Sequence, residues 1–397
     1  MSTRSYRRDG AGYYRIRELC IQLADAAITR KEGPANEKVV SANLCVLLTL
    51  LLLALLGGFT YEQIGRAGDD SQLPPRVGQA VDIGGRTLNL YCSGEGTPTV
   101  ILETGGNSPG YSLLLQQSKM AAFTRACWYD RAGVGWSDSP PFPRTSARVA
   151  SDLHEALKRA GVLPPYVMVG GSVGGQYVRI YTSRYPTDVA GLVLVDSATP
   201  DQRDPDFMVA PINRLSGRTR HLICMALPAM TRLGIIRFAT SRERRPPSPD
   251  FTPEQSDTLA RLEAQPKAFR TDAEQACAAT DEGRVVPRTG TNPDIDNAVR
   301  NAGSLGDRPL VVLTAGRYWA PSGFEKEAAE YHEVRVHQLQ ASLARLSTHG
   351  RQVVVDADHG MTQSPESVVI AVRHVVDEVR TGNNVAYLRA EAPKPAK

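Results

Sequence analysis

One short run of residues is built for nucleophilic chemistry: Gly170-Gly171-Ser172-Val173-Gly174 fits the pattern G-x-S-x-G. A serine hydroxyl attacks an acyl carbon only when a neighbouring base takes its proton. The pattern gives such a serine when a strand ends just before it and a helix starts just after it. The turn then lifts the hydroxyl off the sheet edge, and small flanking residues let the helix pack close to the strand. Tyr166–Val169 is a short apolar run and Gly174 to about Tyr185 has helical spacing, so the required context is present. A phosphate loop would need G-x-x-x-x-G-K-[ST], and no Lys follows the glycines. The seven histidines supply candidate bases. His154, His332, His337 and His374 sit in helical patterns, and His221 opens a largely apolar stretch. His349 lies in a turn before the last strand, and His359 follows that strand in Asp358-His359-Gly360. The six cysteines contain no C-x-x-C pair, which argues against a zinc ribbon or a thioredoxin-like redox site.

The elements around these residues alternate between strand and helix. Ala80–Ile83 and Thr87–Tyr91 flank Gly84-Gly85 and read as a hairpin. Thr99–Glu103, Cys127–Tyr129, Tyr166–Val169 and Gly191–Val195 read as buried strands. Ala147–Ala160 reads as a helix, with Ser151 one candidate start. Alternation of this kind implies a mostly parallel sheet covered by helices on both faces. It stops over residues 200–305, where His221–Phe238 and Pro253–Ala264 have helical spacing and Arg242–Pro249 reads as a loop. An insert of that length is too long for a plain loop and is expected to be a helical cap over the sheet edge. Its apolar stretch His221–Phe238 is expected to pack on the core and wall a pocket. The strand pattern returns at Leu310–Leu313 and Gln352–Val355, and a helix from Pro365 to about Val379 closes the fold.

Val39–Gly58 carries no charged residue and is apolar on every side. Twenty residues at about 1.5 Å each match a hydrocarbon core of roughly 30 Å. A buried core helix would be amphipathic. A cleaved leader would have a short basic start and a small residue at −3, where this chain has Leu56 if Gly58 is −1. The segment is therefore expected to be an uncleaved signal anchor over 39–59. Residues 1–38 carry eight basic side chains, from Arg4 to Lys38, against Arg66 alone in the stretch just after the anchor. That imbalance predicts a cytoplasmic N-terminus and a catalytic domain outside. The expected organisation is a cytoplasmic segment 1–38, the anchor 39–59, a linker 60–76, a core made of 77–199 and 306–385, the cap 200–305 and a tail 386–397. Composition is that of a globular protein, with 42% apolar and 22% charged residues. A net charge of +4 is too mild for the dense basic stripe of a nucleic-acid binder.

Four features together carry a family resemblance. They are Thr99–Gly106, the segment Tyr129-Asp130-Arg131-Ala132-Gly133-Val134-Gly135-Trp136-Ser137, the serine turn at Ser172, and the late His359. Over about 79–380 the chain resembles the α/β-hydrolase fold superfamily, in its serine-nucleophile, esterase- and lipase-like branch. Cys92-Ser93-Gly94-Glu95-Gly96 resembles the C-x-G-x-G step of a bacterial group within it. The resemblance implies an eight-stranded sheet, and Asp130 and Arg131 as structural residues.

It also implies roles. Ser172 would be the nucleophile, and a Ser rather than an Asp there argues against dehalogenase and epoxide-hydrolase chemistry. His359 would be the base. The acid usually follows the strand Leu310–Leu313, where this chain reads Thr314-Ala315-Gly316-Arg317-Tyr318 without a carboxylate. Some members place it at the end of the preceding strand, here Val195-Asp196-Ser197, which makes Asp196 the favoured candidate. Many members keep a structural Asp at that point, so Glu325 and Glu327 stay open as alternatives. Asp358 adjoins His359, too close in sequence to reach its ring nitrogens. The oxyanion donors would be the amides of Val173 and Gly106, on a loop where Thr104 replaces the family's frequent His. The fold makes the second and fourth strands neighbours, so Cys92 and Cys127 are expected to pair, with Cys224 and Cys277 a second candidate pair in the cap. Cys20 and Cys45 are expected to stay reduced. The implied activity is a serine hydrolase acting on carboxylic esters or related acyl bonds of a small molecule, with no metal or organic cofactor. An acyltransferase or perhydrolase with the same triad, and a non-catalytic binding protein on the same fold, are the competing readings.

Overall fold

Apolar runs too short for helices pair into one sheet of eight strands. The computed structural model describes residues 34–141, 144–202, 217–240, 250–271, 293–317, 322–359 and 365–382. Its strands are β1 (Gln79–Asp82), β2 (Thr87–Ser93), β3 (Thr99–Glu103), β4 (Ala126–Tyr129), β5 (Tyr166–Gly171), β6 (Val189–Val195), β7 (Leu310–Ala315) and β8 (Gly350–Val355). They lie in the order β1-β2-β4-β3-β5-β6-β7-β8. β1–β2 and β2–β4 are antiparallel, and every later pairing is parallel. This is the α/β-hydrolase arrangement expected from the sequence.

The helices are α1 (Pro34–Gln72), α2 (Leu114–Met120), α3 (Ser146–Arg159), α4 (Val173–Arg184), α5 (Gly217–Arg232), α6 (Ile235–Thr240), α7 (Pro253–Glu263), α8 (Pro293–Asn301), α9 (Glu325–Val334), α10 (Ala341–Ala344) and α11 (Pro365–Thr381). A π-helical turn, Arg335–Gln340, joins α9 to α10. Side-chain alternation along the strands feeds two cores. Ile101, Met168, Leu192, Leu194 and Val312 meet α3 and α4 on one face, through Leu153, Leu157 and Val178. Val100, Val167, Val193 and Val311 meet α11 on the other, through Val368, Val372 and Val376. β3 is buried along its whole length, as a strand covered on both faces must be.

The described backbone falls into two units, one holding residues up to Ala67 with Arg232–Ile235 and the other holding the rest. α1 is longer than the expected anchor. Its candidate membrane span runs Asn43–Asp69, and the most apolar stretch of that span is not buried. Most of the expected linker 60–76 is therefore helical. The reason is local: Glu62 and Arg66 pair one turn apart at 2.7 Å, and no proline follows the apolar run before Pro74-Pro75. Thr49, polar within the apolar run, donates its hydroxyl to the Cys45 carbonyl at 2.8 Å.

Three other expectations are corrected. α3 starts before Ser151, because the Thr145 hydroxyl accepts from the Arg148 amide and caps the helix there. The stretch His221–Phe238 is two helices parted at Leu233-Gly234, with Gly234 at φ +68°. On it Leu227 is buried while Leu222 and Met225 stand exposed, so only part of the face packs as expected. α8, assigned to the cap by sequence, buries Ile295 and Val299 in the core that α3 and α4 share. The spacing of those two residues gives it one apolar stripe, and that stripe faces the sheet helices. The loop Arg242–Pro249, Cys20, Cys277, the Cys224 side chain and the tail lie outside the described residues.

Cys92 and Cys127 stand directly opposite in the β2–β4 ladder and form a disulfide, with Cα atoms 4.1 Å apart. The bond closes a loop of sequence separation 35. Replacing both cysteines by Ala should lower the unfolding free energy of the detergent-solubilised full chain by about 2–4 kcal/mol. Urea denaturation measures this, and a difference under about 0.5 kcal/mol would show that the bond adds little to stability.

Candidate active site

The serine turn is strained in the way its sequence demands. Ser172 sits between β5 and α4 at φ 52°, ψ −125°, a region that side chains avoid. Two backbone bonds hold it there: its amide donates to Val195 O at 3.0 Å, and its carbonyl accepts from the Ala198 amide at 2.9 Å. The turn is thereby stitched to the end of β6. α4 approaches so closely that a Cβ on Gly174 would fall 2.5 Å from Thr104 O and 2.8 Å from Glu103 O. Only glycine fits between the helix and the end of β3.

Asp196 also has positive φ, at 45°. It leaves β6 with its side chain fully buried. Its amide donates to Leu313 O at 2.7 Å, and its Oδ1 accepts from the Ala315 amide at 2.9 Å. Its Oδ2 meets His359 Nδ1 at 2.5 Å. The opposite ring nitrogen, Nε2, lies 3.1 Å from Ser172 Oγ. His359 is carried by the loop after β8, which is fixed by the Arg317 amide on Ala357 O at 3.0 Å. The structure thus brings Ser172, His359 and Asp196 into one hydrogen-bonded line. Glu325 is elsewhere: its carboxylate accepts from the Gly323 amide at 3.0 Å and is exposed. Glu327 points from the first turn of α9.

Sequence reasoning missed one partner. Arg335, on the π-helical turn, pairs through Nη2 with the same Oδ2 of Asp196. Burial works to raise the Asp196 pKa, but the His359 hydrogen bond and the Arg335 charge and hydrogen bond outweigh it and hold the carboxyl below its ordinary range. The signal in the sequence was faint: Arg335 falls seven residues after Ala328, on the buried side of a helical pattern where an apolar residue would be expected.

The loop expected to carry the oxyanion donors lies against the serine turn, a Cβ on Gly105 falling 3.0 Å from Ser172 Cβ. The Ser108 amide donates to Gly105 O at 3.2 Å, closing a turn in which Gly106 takes φ +47°. Because a peptide's C=O and N–H point opposite ways, tying Gly105 O inward turns the Gly106 N–H outward. Neither that N–H nor the one of Val173, at the first position of α4, has a hydrogen-bond partner among the described residues. Support for the loop at Thr104 comes from Arg131, whose Nη1 donates to Thr104 O at 2.7 Å and pairs with buried Glu103. Asp130 beside it accepts from the amides of Gly110 (2.7 Å) and Trp136 (3.0 Å) and from Asn89 (3.2 Å). Burial nonetheless pushes its carboxyl up to about 6.

A family model described as the alpha/beta hydrolase fold matches residues 121–216. An uncharacterized protein of Bacillus subtilis, YbdG, is 26% identical over 211 residues, covering 53% of this chain and 62% of its own. A (lyso)-N-acylphosphatidylethanolamine lipase of Bos taurus is 27% identical over 161 residues, covering 38% of this chain and 47% of its own. These matches span less than two thirds of either relative. Among solved structures, a haloalkane dehalogenase of Bradyrhizobium elkani superposes with a TM-score of 0.54 at 15% identity, over 77% of this chain and 99% of that one. That likeness speaks to the fold.

The depressed Asp196 pKa fixes a sign. A carboxyl held lower in the folded than in the unfolded chain adds stability that is full above the ordinary carboxylate range and lost as pH falls below it. The stability gap between wild type and Asp196→Asn in urea should therefore be constant above about pH 5 and shrink below about pH 4. A gap that is the same at pH 7 and pH 3 would mean that the ionised carboxylate contributes nothing to it.

Proposed function

We propose that this chain, which has the α/β-hydrolase fold, is a membrane-anchored serine hydrolase that cleaves carboxylic esters or related acyl bonds through an acyl-enzyme. The single observation that carries this reading is the continuous line Ser172 Oγ–His359 Nε2 at 3.1 Å and His359 Nδ1–Asp196 Oδ2 at 2.5 Å. In the proposed reaction Ser172 Oγ attacks the acyl carbon as Nε2 takes its proton. The carbonyl oxygen gathers negative charge and is met by the Val173 and Gly106 amides. Collapse expels the alcohol, which leaves with the proton from Nε2. Water then repeats the sequence, losing a proton to His359 and releasing the acid, and Ser172 regains its hydrogen. Asp196 orients the ring throughout and balances the imidazolium charge. The His359 side chain is 60% exposed, which favours water over a sheltered alcohol as the acceptor. The lipase among the partial relatives agrees with an acyl-ester substrate.

The membrane part of the reading rests on the charge-free run within α1 and on the basic excess before it. It places residues 1–38 in the cytoplasm and the sheet outside. A reporter that works only after translocation, fused after Lys397, should be active. Activity of a cytoplasm-only reporter at that position would reverse the orientation.

Incubation of the full chain in membranes with a fluorophosphonate probe should label wild type, and Ser172→Ala should abolish labelling. Asp196→Asn should slow turnover of an aryl ester by on the order of 10⁴-fold. Absence of label on folded wild type would favour a non-catalytic binding protein. Near-normal turnover by Asp196→Asn would remove Asp196 from the triad while leaving Ser172 and His359.

A further inference from the structure

We propose that Arg335 is a positioning residue that sets the lower pH limit of the Ser172–His359 couple by sharing the Asp196 carboxylate. The proposal rests on the serine-hydrolase reading above. A triad acid serves by placing uncompensated negative charge beside the imidazole. Here the oxygen that takes His359 Nδ1 also takes a guanidinium, and both groups of that second pair are buried, at 4% and 0% side-chain exposure. The remaining oxygen is held by the Ala315 amide. At this depth a charge pair is weakly screened, so the guanidinium is felt at the ring.

The placement is imposed by neighbouring structure. Arg335 opens a π-helical turn, a form common at functional sites. Three side-chain bonds pin its surroundings to the strand ends: His332 Nε2 to Gly316 O at 3.1 Å, Gln340 Nε2 to Ser197 O at 2.6 Å and Gln352 Nε2 to Val336 O at 2.9 Å. Arg335 Nη1 is buried without a hydrogen-bond partner among the described residues. A guanidinium placed only to tie elements together would be expected to use that donor. Its ion-pair partner in the described structure is Asp196.

Among the described residues, other charged or titratable groups lie on the elements around the couple. Asp358 precedes His359 in the chain. Arg317 and Asp356, on the loops after β7 and β8, pair with each other at 2.5 Å and largely cancel. His332, on α9, is turned to the Gly316 carbonyl, and Ser172 faces the ring from the serine turn. Arg335 is thus the positive charge directly on the acid. By offsetting part of the carboxylate's pull on the forming imidazolium, it keeps the ring able to accept the Ser172 proton at lower pH than the carboxylate alone would allow.

The test is the rate of fluorophosphonate labelling against pH, from 4.5 to 9, for the full chain in membranes. Arg335→Gln and Arg335→Met should each move the acid limb of the profile up by about one pH unit. Their plateau rates should change by less than about tenfold, and Arg335→Lys should restore the wild-type limb. A structural role alone would lower the rate equally at every pH and leave the limb in place. Superposed limbs for wild type and whichever of the two neutral variants folds would overturn the proposal. Folded wild type that takes no label at all would instead sink the hydrolase reading, and this proposal with it.

Discussion

A carboxylate removed from water must find every partner inside the protein, and the edge of this sheet is organised around one such group. Asp196 has no exposed surface. Its two oxygens are met by a strand amide, a histidine and an arginine carried on three separate elements. Leaving such a charge uncompensated would be strongly destabilising. β7, the loop after β8 and the π-helical turn are therefore drawn to one point. The backbone there is bent into positive φ to present the side chain, and the same loop supplies the bonds that hold the serine turn. Strain at Ser172 and strain at Asp196 support each other.

A second buried ionic group, Glu103 with Arg131, plays a complementary part beneath the Thr104–Gly106 loop. Arg131 spends one donor on a backbone carbonyl, and so fixes the plane of a peptide with charge. Asp130, one residue earlier, works through neutral donors alone, and its burial is correspondingly less well compensated. Adjacent residues of one motif thus solve the problem of a buried charge in two ways. One uses a counter-ion and the other a ring of amides.

Much of this was legible in the sequence, because it depends on local pattern. The strands were visible as short apolar runs, and the serine turn as glycines at a strand–helix junction. The cross-strand pairing of Cys92 with Cys127 was implied by the resemblance to the α/β-hydrolase fold, in which the second and fourth strands are neighbours, and not by any local pattern. Less legible were features set by distant packing. Asp196 could be placed at the right edge but not distinguished by sequence from a structural Asp, since what sets it apart is where His359 returns 163 residues later. Arg335 left only a faint trace because its partner lies in another layer, and a charged residue on a helix ordinarily belongs to solvent. α8 falls in a stretch where the strand alternation lapses, so the sequence pattern points to the cap although its own apolar stripe, Ile295 and Val299, belongs to the core. Past the apolar run of α1 the polar composition points to a linker, whereas a turn-spaced ion pair lets the helix continue.

The unequal burial across the short Asp196–His359 bond has a consequence for proton traffic. One end of that bond is sealed and the other end belongs to a ring that is mostly in solvent. In the proposed cycle the mobile proton rides on Nε2, the nitrogen turned toward the serine, while the Nδ1 proton is locked against the carboxylate. A ring so exposed needs no internal relay of water or side chains to equilibrate with bulk. Buffer molecules can exchange with it directly, and the resting protonation state is restored between turnovers without any conformational opening. The same openness leaves the imidazole within reach of small electrophiles, whereas the carboxylate behind it is shielded by the protein.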